Sequence, residues 1–454
     1  MERDLTRGSV TRSILLFAAP IIAGNLLQLF YNIADTLIVG RFLGADALAA
    51  VGSSYSVMVF LTSIILGLCM GSGVLFSMLY GAHQERDMKK SFFVSFLFIG
   101  GITLILEAAA LLLIDPLLRA LQIPADIFSL TRDYLFIIFL GIVFTFFFNY
   151  FAALLRSVGN SSVPLMFLAA SALINIVLDL LFILVFHMGV AGAAVATVTA
   201  QGISAGGLFL YCRFRAAHLF WTKEDMYFDH GIAGQIAQYS LLTCVQQSVM
   251  NFGILMIQGL VNSFGVSVMA AFAAAVKIDS FAYMPVQDFG NAFATYIAQN
   301  SGAEKAGRIQ KGLKSSILIV VVFCALISFV VFTFAPGLMT LFIRPEETEI
   351  IRIGTGYLRI EGACYCGIGC LSLLYGLYRG LGRPGISVIL TVISLGTRVG
   401  LAYLLAPLPA FGLNAVWWAI PIGWVLADAV GLIFYHTISR KNTPEKMSQD
   451  TPGC

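Results

Sequence analysis

Long apolar runs, interrupted by few charges, limit what this chain of 454 residues can fold into. Charged residues make up 11% of the sequence, whereas a typical soluble domain has about 25%. The runs are too continuous for the strands of a membrane β-barrel, in which apolar and polar residues alternate. We therefore predict an all-α polytopic membrane protein.

The apolar runs divide into twelve predicted transmembrane spans, because about 20 apolar residues are enough to cross the bilayer as a helix. The first run has no A-x-A-like cleavage site, so we expect it to be a span and not a signal peptide. The predicted spans are 14–40, 47–80, 92–114, 134–156, 164–187, 190–212, 236–261, 267–300, 315–343, 354–379, 385–406 and 412–438.

The distribution of Lys and Arg predicts the orientation of the spans. If the amino terminus is cytoplasmic, most basic residues between the spans also fall on the cytoplasmic side. The few that fall on the outside are Arg41, Arg119, Arg132, Arg344 and Arg352. By the positive-inside rule, we expect a multi-pass protein of the cell (cytoplasmic) membrane with both termini in the cytoplasm.

The two halves of the chain repeat each other at a nearly constant offset. Phe42–Gly52 aligns with Ser263–Ala273 at 221 residues, and Leu154–Pro164 aligns with Leu377–Ser387 at 223 residues. Six spans in each half give both halves the same orientation, as in parallel repeats related by a pseudo-two-fold axis along the membrane normal. Two such six-helix bundles around a cavity suit transport by alternating access. We predict lobes at 1–212 and 236–439, a cytoplasmic linker at 213–235 and a cytoplasmic tail at 440–454.

Two carboxylates lie inside predicted spans, where an ionised side chain costs roughly 2.5–3.5 kcal/mol on insertion scales. Asp35 is in the first span, and Asp179 is in the fifth span with Asn175 one turn away. Thr197 of the sixth span falls at a comparable depth. Carboxylate, amide and hydroxyl oxygens suit Na⁺, and neighbouring carboxylates also hold protons more tightly. The sequence therefore predicts a site for H⁺ or Na⁺, or alternatively a hydrogen-bonded network that only ties the helices together.

The first span carries two further features. Pro20 removes a backbone hydrogen bond, so we predict a hinge there. Gln28, Tyr31 and Asp35 recur at helical spacing and form a polar stripe on one face. Across the chain, the predicted substrate-cavity residues are Gln28, Tyr31, Asn149, Gln246, Gln247, Asn251, Lys277, Asp279 and Arg398.

Other charged residues of the second half are less specific. For Lys277 and Asp279, an ion pair and two separate cavity-lining charges fit equally well. Arg398 and Asp428 are predicted to pair between helices. The tenth span also opens on charged residues, Arg359 and Glu361, which we expect to reach the membrane interface.

Small residues mark places where helices come close together. Gly67, Gly71 and Gly73 predict close helix packing, since no strand precedes them as in a phosphate-binding loop. Cys364, Cys366 and Cys370 are also read as small packing residues. No metal site other than one for Na⁺ is predicted.

Several of these motifs together resemble one known family. They are the first-span residues around Pro20 and Asp35, the stretch Val39–Gly52 (VGRFLGADALAAVG), the turn Arg156–Pro164 (RSVGNSSVP) and the Asn175-x-x-x-Asp179 pair. Over essentially its full length, the chain resembles the multidrug and toxic compound extrusion (MATE) family, in its DinF-like branch.

The resemblance implies a secondary active exporter that extrudes bulky cationic or neutral organic compounds in exchange for H⁺ or Na⁺. It implies coupling of the ion at Asp35, Asn175, Asp179 and Thr197. Some family members use a carboxylate of the seventh span instead, but that span has no acid here. At the repeat offsets, Asp35 falls opposite Met256 and Asp179 opposite Ala402. We therefore expect the first half to bind the ion and the second half to shape the cavity.

The main alternative is a lipid-linked oligosaccharide flippase of the same superfamily. A cavity for an anionic pyrophosphate carrier should contain several Arg residues, whereas this chain offers chiefly Arg398 and Lys277. An enzyme is disfavoured because no H-E-x-x-H motif is present, and an ATP-driven pump because no nucleotide-binding loop is visible. We expect a monomer without cofactor or nucleic acid, whose partners are small organic substrates, H⁺ or Na⁺ and membrane lipids.

Overall fold

The structure is a computed structural model of the chain and describes residues 3–121 and 123–441. These residues form helices and connecting turns. The α-helices are α1 (Val10–Leu43), α2 (Ala45–Gly81), α3 (Glu85–Leu112), α4 (Ile114–Ala120), α5 (Ala125–Leu140), α6 (Ile142–Ser157), α7 (Ser162–Leu180), α8 (Gly189–Arg215), α9 (His230–Asn262), α10 (Val266–Gly302), α11 (Ala306–Met339), α12 (Thr348–Ala363), α13 (Tyr365–Gly380), α14 (Pro384–Leu405) and α15 (Gly412–Lys441).

Ten of these helical segments are long and apolar enough to cross a membrane alone, and two bent helix pairs bring the number of spans in the described residues to twelve. The predicted number of helical spans is confirmed. Two predicted spans, 134–156 and 354–379, are each divided into two helices. The bend is 42° between α5 and α6 and 52° between α12 and α13.

Local backbone turns cause both bends. At the first, the Gly141 N–H donates to Ile138 O at 2.9 Å, so the ladder changes from i–4 to i–3 bonding. At the second, the Cys364 N–H donates to Glu361 O at 2.8 Å in the same way. Neither bend contains proline, the residue that most often signals a kink in a sequence.

The described residues group into two compact units. The first comprises 3–251, 291–316 and 379–384, and the second comprises 252–290, 317–378 and 385–441. The first unit therefore includes the linker and the ends of several second-half helices. The lobe boundaries drawn from the repeat stay a prediction, and the predicted tail lies outside the described residues from 442 onward.

Aromatic side chains hold the linker against the first unit. Phe220 and Trp221, which follow α8, pack on Phe92 of α3 with ring centroids 5.6 and 4.7 Å apart. Thr222 and Asp225 close the next turn, because the Thr222 N–H donates to Asp225 Oδ2 at 2.9 Å. The linker is thus an ordered part of the first unit.

Glycines allow α2 and α9 to cross closely within the first unit. A Cβ atom at Gly67 would lie 2.5 Å from Cys244 Cα, and one at Gly71 would collide with the backbone at Tyr239 and Ser240. Any side chain at these positions would push the helices apart. The predicted close packing is confirmed at both glycines.

Candidate functional site

Two carboxylates from different helices meet in the first unit. Asp35 lies on α1 and Asp179 near the end of α7, and their carboxyl groups are within hydrogen-bonding range of each other. Asp179 is 0% exposed and Asp35 is half-buried. The Oδ1 atom of each has no hydrogen-bond partner in the protein. Two carboxylates this close repel each other unless a proton or cation lies between them, so the pair can bind either.

A hydrogen bond at the start of α7, the helix that carries Asp179, attaches it to α1. Ser161 Oγ donates to Phe17 O of α1 at 2.8 Å. Further along α1, Gly24 leaves room for leucine side chains of α7 at ordinary contact distance. Directly after Asp179, the chain widens into a π-helical turn at Leu181–Val185. Such turns are frequent at functional sites.

Asn175 and Thr197 complete the group that the sequence predicted. With its amide nitrogen turned toward the carboxylate, Asn175 donates to Asp179 Oδ2 at 3.2 Å. Its oxygen then accepts from the Thr197 backbone N–H at 3.3 Å. In the opposite orientation the amide nitrogen lies 3.3 Å from Thr197 Oγ1. We adopt the first orientation because it pairs donors with acceptors on both sides.

Two tyrosines accompany the acid pair. Tyr31 of α1 and Tyr134 of α5 both lie within electrostatic range of Asp35 and Asp179. Tyr31 was predicted from the polar stripe, but Tyr134 was missed, because one tyrosine in an apolar run carries no signal in the sequence. Gln28, the other stripe residue, is exposed and makes no hydrogen bond to the pair.

The other predicted cavity residues of this unit have hydrogen-bond partners other than the acids, or none. Asn149 donates to Thr145 O at 2.9 Å, and Asn251 donates to Gln247 O at 3.1 Å, each within its own helix. Gln247 Nε2 faces the Met70 sulfur at 3.8 Å. Gln246 is buried, and its side-chain oxygen has no partner in the protein. No hydrogen bond links these side chains to the acid pair.

A second buried acid pair lies in the second unit. Asp279 of α10 and Glu361 of α12 are within hydrogen-bonding range of each other. Tyr357 donates to Glu361 Oε2 at 2.7 Å, and Tyr365 donates to Asp279 Oδ1 at 2.5 Å. Arg398 of α14 lies close enough to act electrostatically on both carboxyl groups. The group combines two acids with one permanent cation.

The positions of these side chains correct two sequence-based interpretations and exclude one of two alternatives that the sequence left open. Glu361 is 2% exposed, so its prediction as an interfacial residue is wrong, whereas Arg359 is exposed and lies over the Phe332 ring. Lys277 is exposed and forms no ion pair with Asp279. The predicted pair of Arg398 with Asp428 does not form. Arg398 Nε and Asp428 Oδ1 each have no hydrogen-bond partner.

A signal for this cluster was present in the sequence. Tyr357, Glu361 and Tyr365 recur every four residues, which places polar groups on one helical face. The charged start of the span obscured that pattern, because it resembled an interfacial helix end. The repeat comparison also missed the cluster, since it tested only the positions opposite Asp35 and Asp179.

A sequence model of the MatE family matches the chain twice, over residues 20–181 and 242–404. The chain belongs to the MatE family. The two matches start 222 residues apart (242 minus 20), which agrees with the offset of the repeats. The predicted duplication and the predicted MATE membership are confirmed.

Relatives cover nearly the whole of this MatE-family chain. The probable multidrug resistance protein YpnP of Bacillus subtilis is 30% identical over 392 residues, or 86% of this chain and 87% of YpnP. The multidrug export protein MepA of Staphylococcus aureus is 22% identical, with 96% of each chain covered. The chain is thus a multi-pass membrane transporter of this family.

A solved structure shares the fold. It is described as an outward-facing conformation of a multidrug resistance MATE family transporter of the MOP superfamily. It superposes with a TM-score of 0.90 at 23% identity and covers 96% of this chain and 98% of its own. The twelve-helix MATE fold predicted from the sequence is therefore confirmed.

Proposed function

We propose that this transporter is a secondary active multidrug exporter of the cytoplasmic membrane. It extrudes bulky cationic or neutral organic compounds in exchange for H⁺ or Na⁺ by alternating access. Both termini lie in the cytoplasm, and the protein acts as a monomer without a cofactor. The names of YpnP and MepA support the substrate class.

The proposed ion coupling is based on the close approach of the Asp35 and Asp179 carboxyl groups. Each acid has an oxygen without a protein partner, and the two lie too close for both to remain charged without a bound cation. Asn175 orients Asp179, and Thr197 holds the Asn175 amide. Binding of H⁺ or Na⁺ therefore changes the net charge between α1 and α7. A change of charge inside the bilayer biases helix arrangement strongly, because uncompensated charge is costly there.

The acids of the second unit are not needed for this coupling. Arg398 already supplies one positive charge to Asp279 and Glu361, and two tyrosines donate hydrogen bonds to them. One cation and two tyrosine hydroxyl groups offset part of the charge of the two acids, which fits a structural or cavity-shaping role. The same arrangement disfavours the flippase alternative, because Arg398 lies within electrostatic range of two acids of its own chain, which weakens its attraction for a pyrophosphate.

Transport in proteoliposomes tests the proposal. Purified protein is reconstituted, and movement of a fluorescent organic cation such as ethidium is followed under separately imposed H⁺ and Na⁺ gradients. We expect transport to follow at least one gradient and to stop when that gradient is dissipated. Transport that ignores both gradients would exclude secondary active exchange. A parallel assay with a labelled lipid-linked pyrophosphate distinguishes the flippase.

A further inference from the structure

Two residues in the mostly polar segment before α1 are buried. In residues 3–9, named here the N-terminal strap, Leu5 is 0% exposed and Thr6 is also buried. Asp4 closes a tight turn in it, since Oδ1 accepts from the Thr6 N–H at 2.8 Å and from the Thr6 hydroxyl at 2.6 Å. A polar end segment is usually solvated. The burial of Leu5 and Thr6 calls for specific partners.

Two cations hold the strap, namely Lys305, which directly precedes α11, and Arg308 in the first turn of α11. Arg308 donates from Nη1 to Gly8 O at 2.9 Å and from Nη2 to Leu5 O at 3.0 Å and Arg7 O at 3.1 Å. Lys305 Nζ donates to Thr6 O and Thr6 Oγ1, each at 3.0 Å. The strap therefore presents consecutive carbonyl oxygens to two side chains of the second repeat.

Amides extend this connection to the turn between α6 and α7. Gln299 Oε1 accepts from the Leu5 N–H at 3.0 Å, and Gln299 Nε2 donates to Ser157 O at 2.6 Å. On the other edge of the strap, the Arg3 N–H donates to Val158 O at 3.3 Å. One continuous network thus joins the strap, a turn of the first repeat and a turn of the second repeat.

The acceptors in this network make it reversible. Arg308 and Lys305 bond chiefly to backbone carbonyls, and water can replace these without leaving a buried carboxylate unpaired. A buried ion pair lacks that property, because separating it exposes two charges that each need compensation. The network is therefore suited to repeated opening and closing.

We propose that the N-terminal strap is a latch, and that Arg308, Lys305 and Gln299 are positioning residues of the transport cycle. The latch keeps the predicted cytoplasmic ends of the two repeats together while the opposite side is open. It must release before substrate enters from the cytoplasm. This inference rests on the proposed alternating access, but its closed state can be measured without any transport.

Hydrogen exchange of the full-length protein tests the contacts. In Arg308→Ala, exchange of the strap amides should rise on the order of tenfold or more, the scale expected when hydrogen bonds to a charged group are lost. Lys311→Ala is the matched control, because it removes the same charge from an exposed position of α11. The exchange rate of the strap amides in Arg308→Lys should lie between those of the two alanine variants. Equal exchange in Arg308→Ala and Lys311→Ala would overturn the latch.

Reversible crosslinking tests whether release is required. The two positions joined by Lys305 Nζ and Thr6 Oγ1 are replaced as Thr6→Cys and Lys305→Cys, and a short bifunctional thiosulfonate bridges them. We expect bridging to stop gradient-driven export and reduction to restore it. A bridged protein that exports at the unbridged rate would refute the latch. If the unbridged protein does not export at all, the proposed function fails, and the exchange measurement still decides whether the latch exists.

Discussion

Asp35 of α1 and Asp179 of α7 approach within hydrogen-bonding range, although 144 positions separate them along the chain (179 minus 35). Each retains one oxygen without a protein partner. A pair of acids inside an apolar bundle can accept one monovalent cation or one proton at a time with little change in the surrounding packing. This relationship determines what most substitutions at the site should do.

Neutral replacement of either acid should abolish coupling. Asp35→Asn and Asp179→Asn keep the shape of the side chain but remove its exchangeable charge, so gradient-driven export should fall to the level of empty liposomes. Glu107→Gln, which alters an acid of α3 that does not contact the pair, serves as the control. Export at the unmodified rate by either Asn variant, at equal reconstitution, would contradict the proposed site.

The Asn175 amide and the Thr197 hydroxyl should affect the ion affinity of the site without being required for coupling. Thr197→Val removes the hydroxyl but keeps the backbone N–H that binds Asn175, so ion affinity should fall by less than in Asn175→Ala. For Asn175→Ala we expect about a tenfold loss, the size of effect that partners of ion ligands often show. The concentration of ion giving half-maximal export measures both. Equal losses in the two variants would mean that the hydroxyl itself binds the ion.

The second acid pair should matter more for stability than for coupling. Glu361→Ala removes the carboxylate to which Tyr357 donates at 2.7 Å and leaves Tyr357 only its longer, 3.4 Å bond to Asp279. It should lower the free energy of unfolding by about 2 kcal/mol, the scale for a buried group that loses its hydrogen-bond partner. Glu361→Gln should lose less, because an amide can still bond to the tyrosine. Thermal unfolding in detergent measures both variants, with Asp428→Asn as the control acid.

Comparing Glu361→Gln with Asp179→Asn also tests which unit binds the coupling ion. Glu361→Gln should keep its response to the ion gradient, whereas Asp179→Asn should lose it. If the outcome is the reverse, the coupling site belongs to the second unit. In that case the assignment of the ion to the first half is wrong.

Substitutions on α9 should change which compounds are exported. Gln247→Ala removes a polar group beside Met70. It should alter relative export rates of cationic and neutral drugs by about tenfold, the lower end of the range for a one-group change in an apolar pocket. Its ion dependence should stay unchanged. Gln258→Ala, near the end of the same helix, is the control. An altered ion response in Gln247→Ala would link α9 to coupling.

The strap should loosen only at strongly acidic pH. Burial raises the pKa of Asp4, but hydrogen bonds from Thr6 and the charges of Arg7 and Lys305 lower that pKa further, to a value below its ordinary 3.8. Because the pKa of Asp4 is lowered in the folded strap, its ionised carboxylate stabilises the strap at pH values above the ordinary pKa. This stabilisation is lost as the pH falls through the pKa of the folded state. Protection of the strap amides, corrected for intrinsic exchange, should therefore stay constant down to about pH 4 and then decrease. In Asp4→Asn this pH dependence should disappear.

Local patterns in the sequence were sufficient for the membrane class, the twelve spans and the duplication. The reason is that the length of an apolar run and the offset of a repeat can be read from short stretches of sequence. An apolar run that is long enough to cross the bilayer must form a helix, because its backbone groups can be hydrogen-bonded only within the protein. The proximity of Asp35, Asn175, Asp179 and Thr197 was also predictable, with help from the family resemblance. Each of these polar groups stands out against its apolar surroundings.

Tertiary structure alone decided the contacts that depend on long-range packing. The burial of Glu361, its pairing with Asp279 and the electrostatic effect of Arg398 on both acids arise from helices that are distant in sequence. The same holds for the strap, whose partners Gln299 and Arg308 lie some three hundred residues away. A polar residue near a helix end looks the same in a sequence whether water or another helix satisfies it. Only the packed structure supplies the partner, and the partner determines the role of the residue.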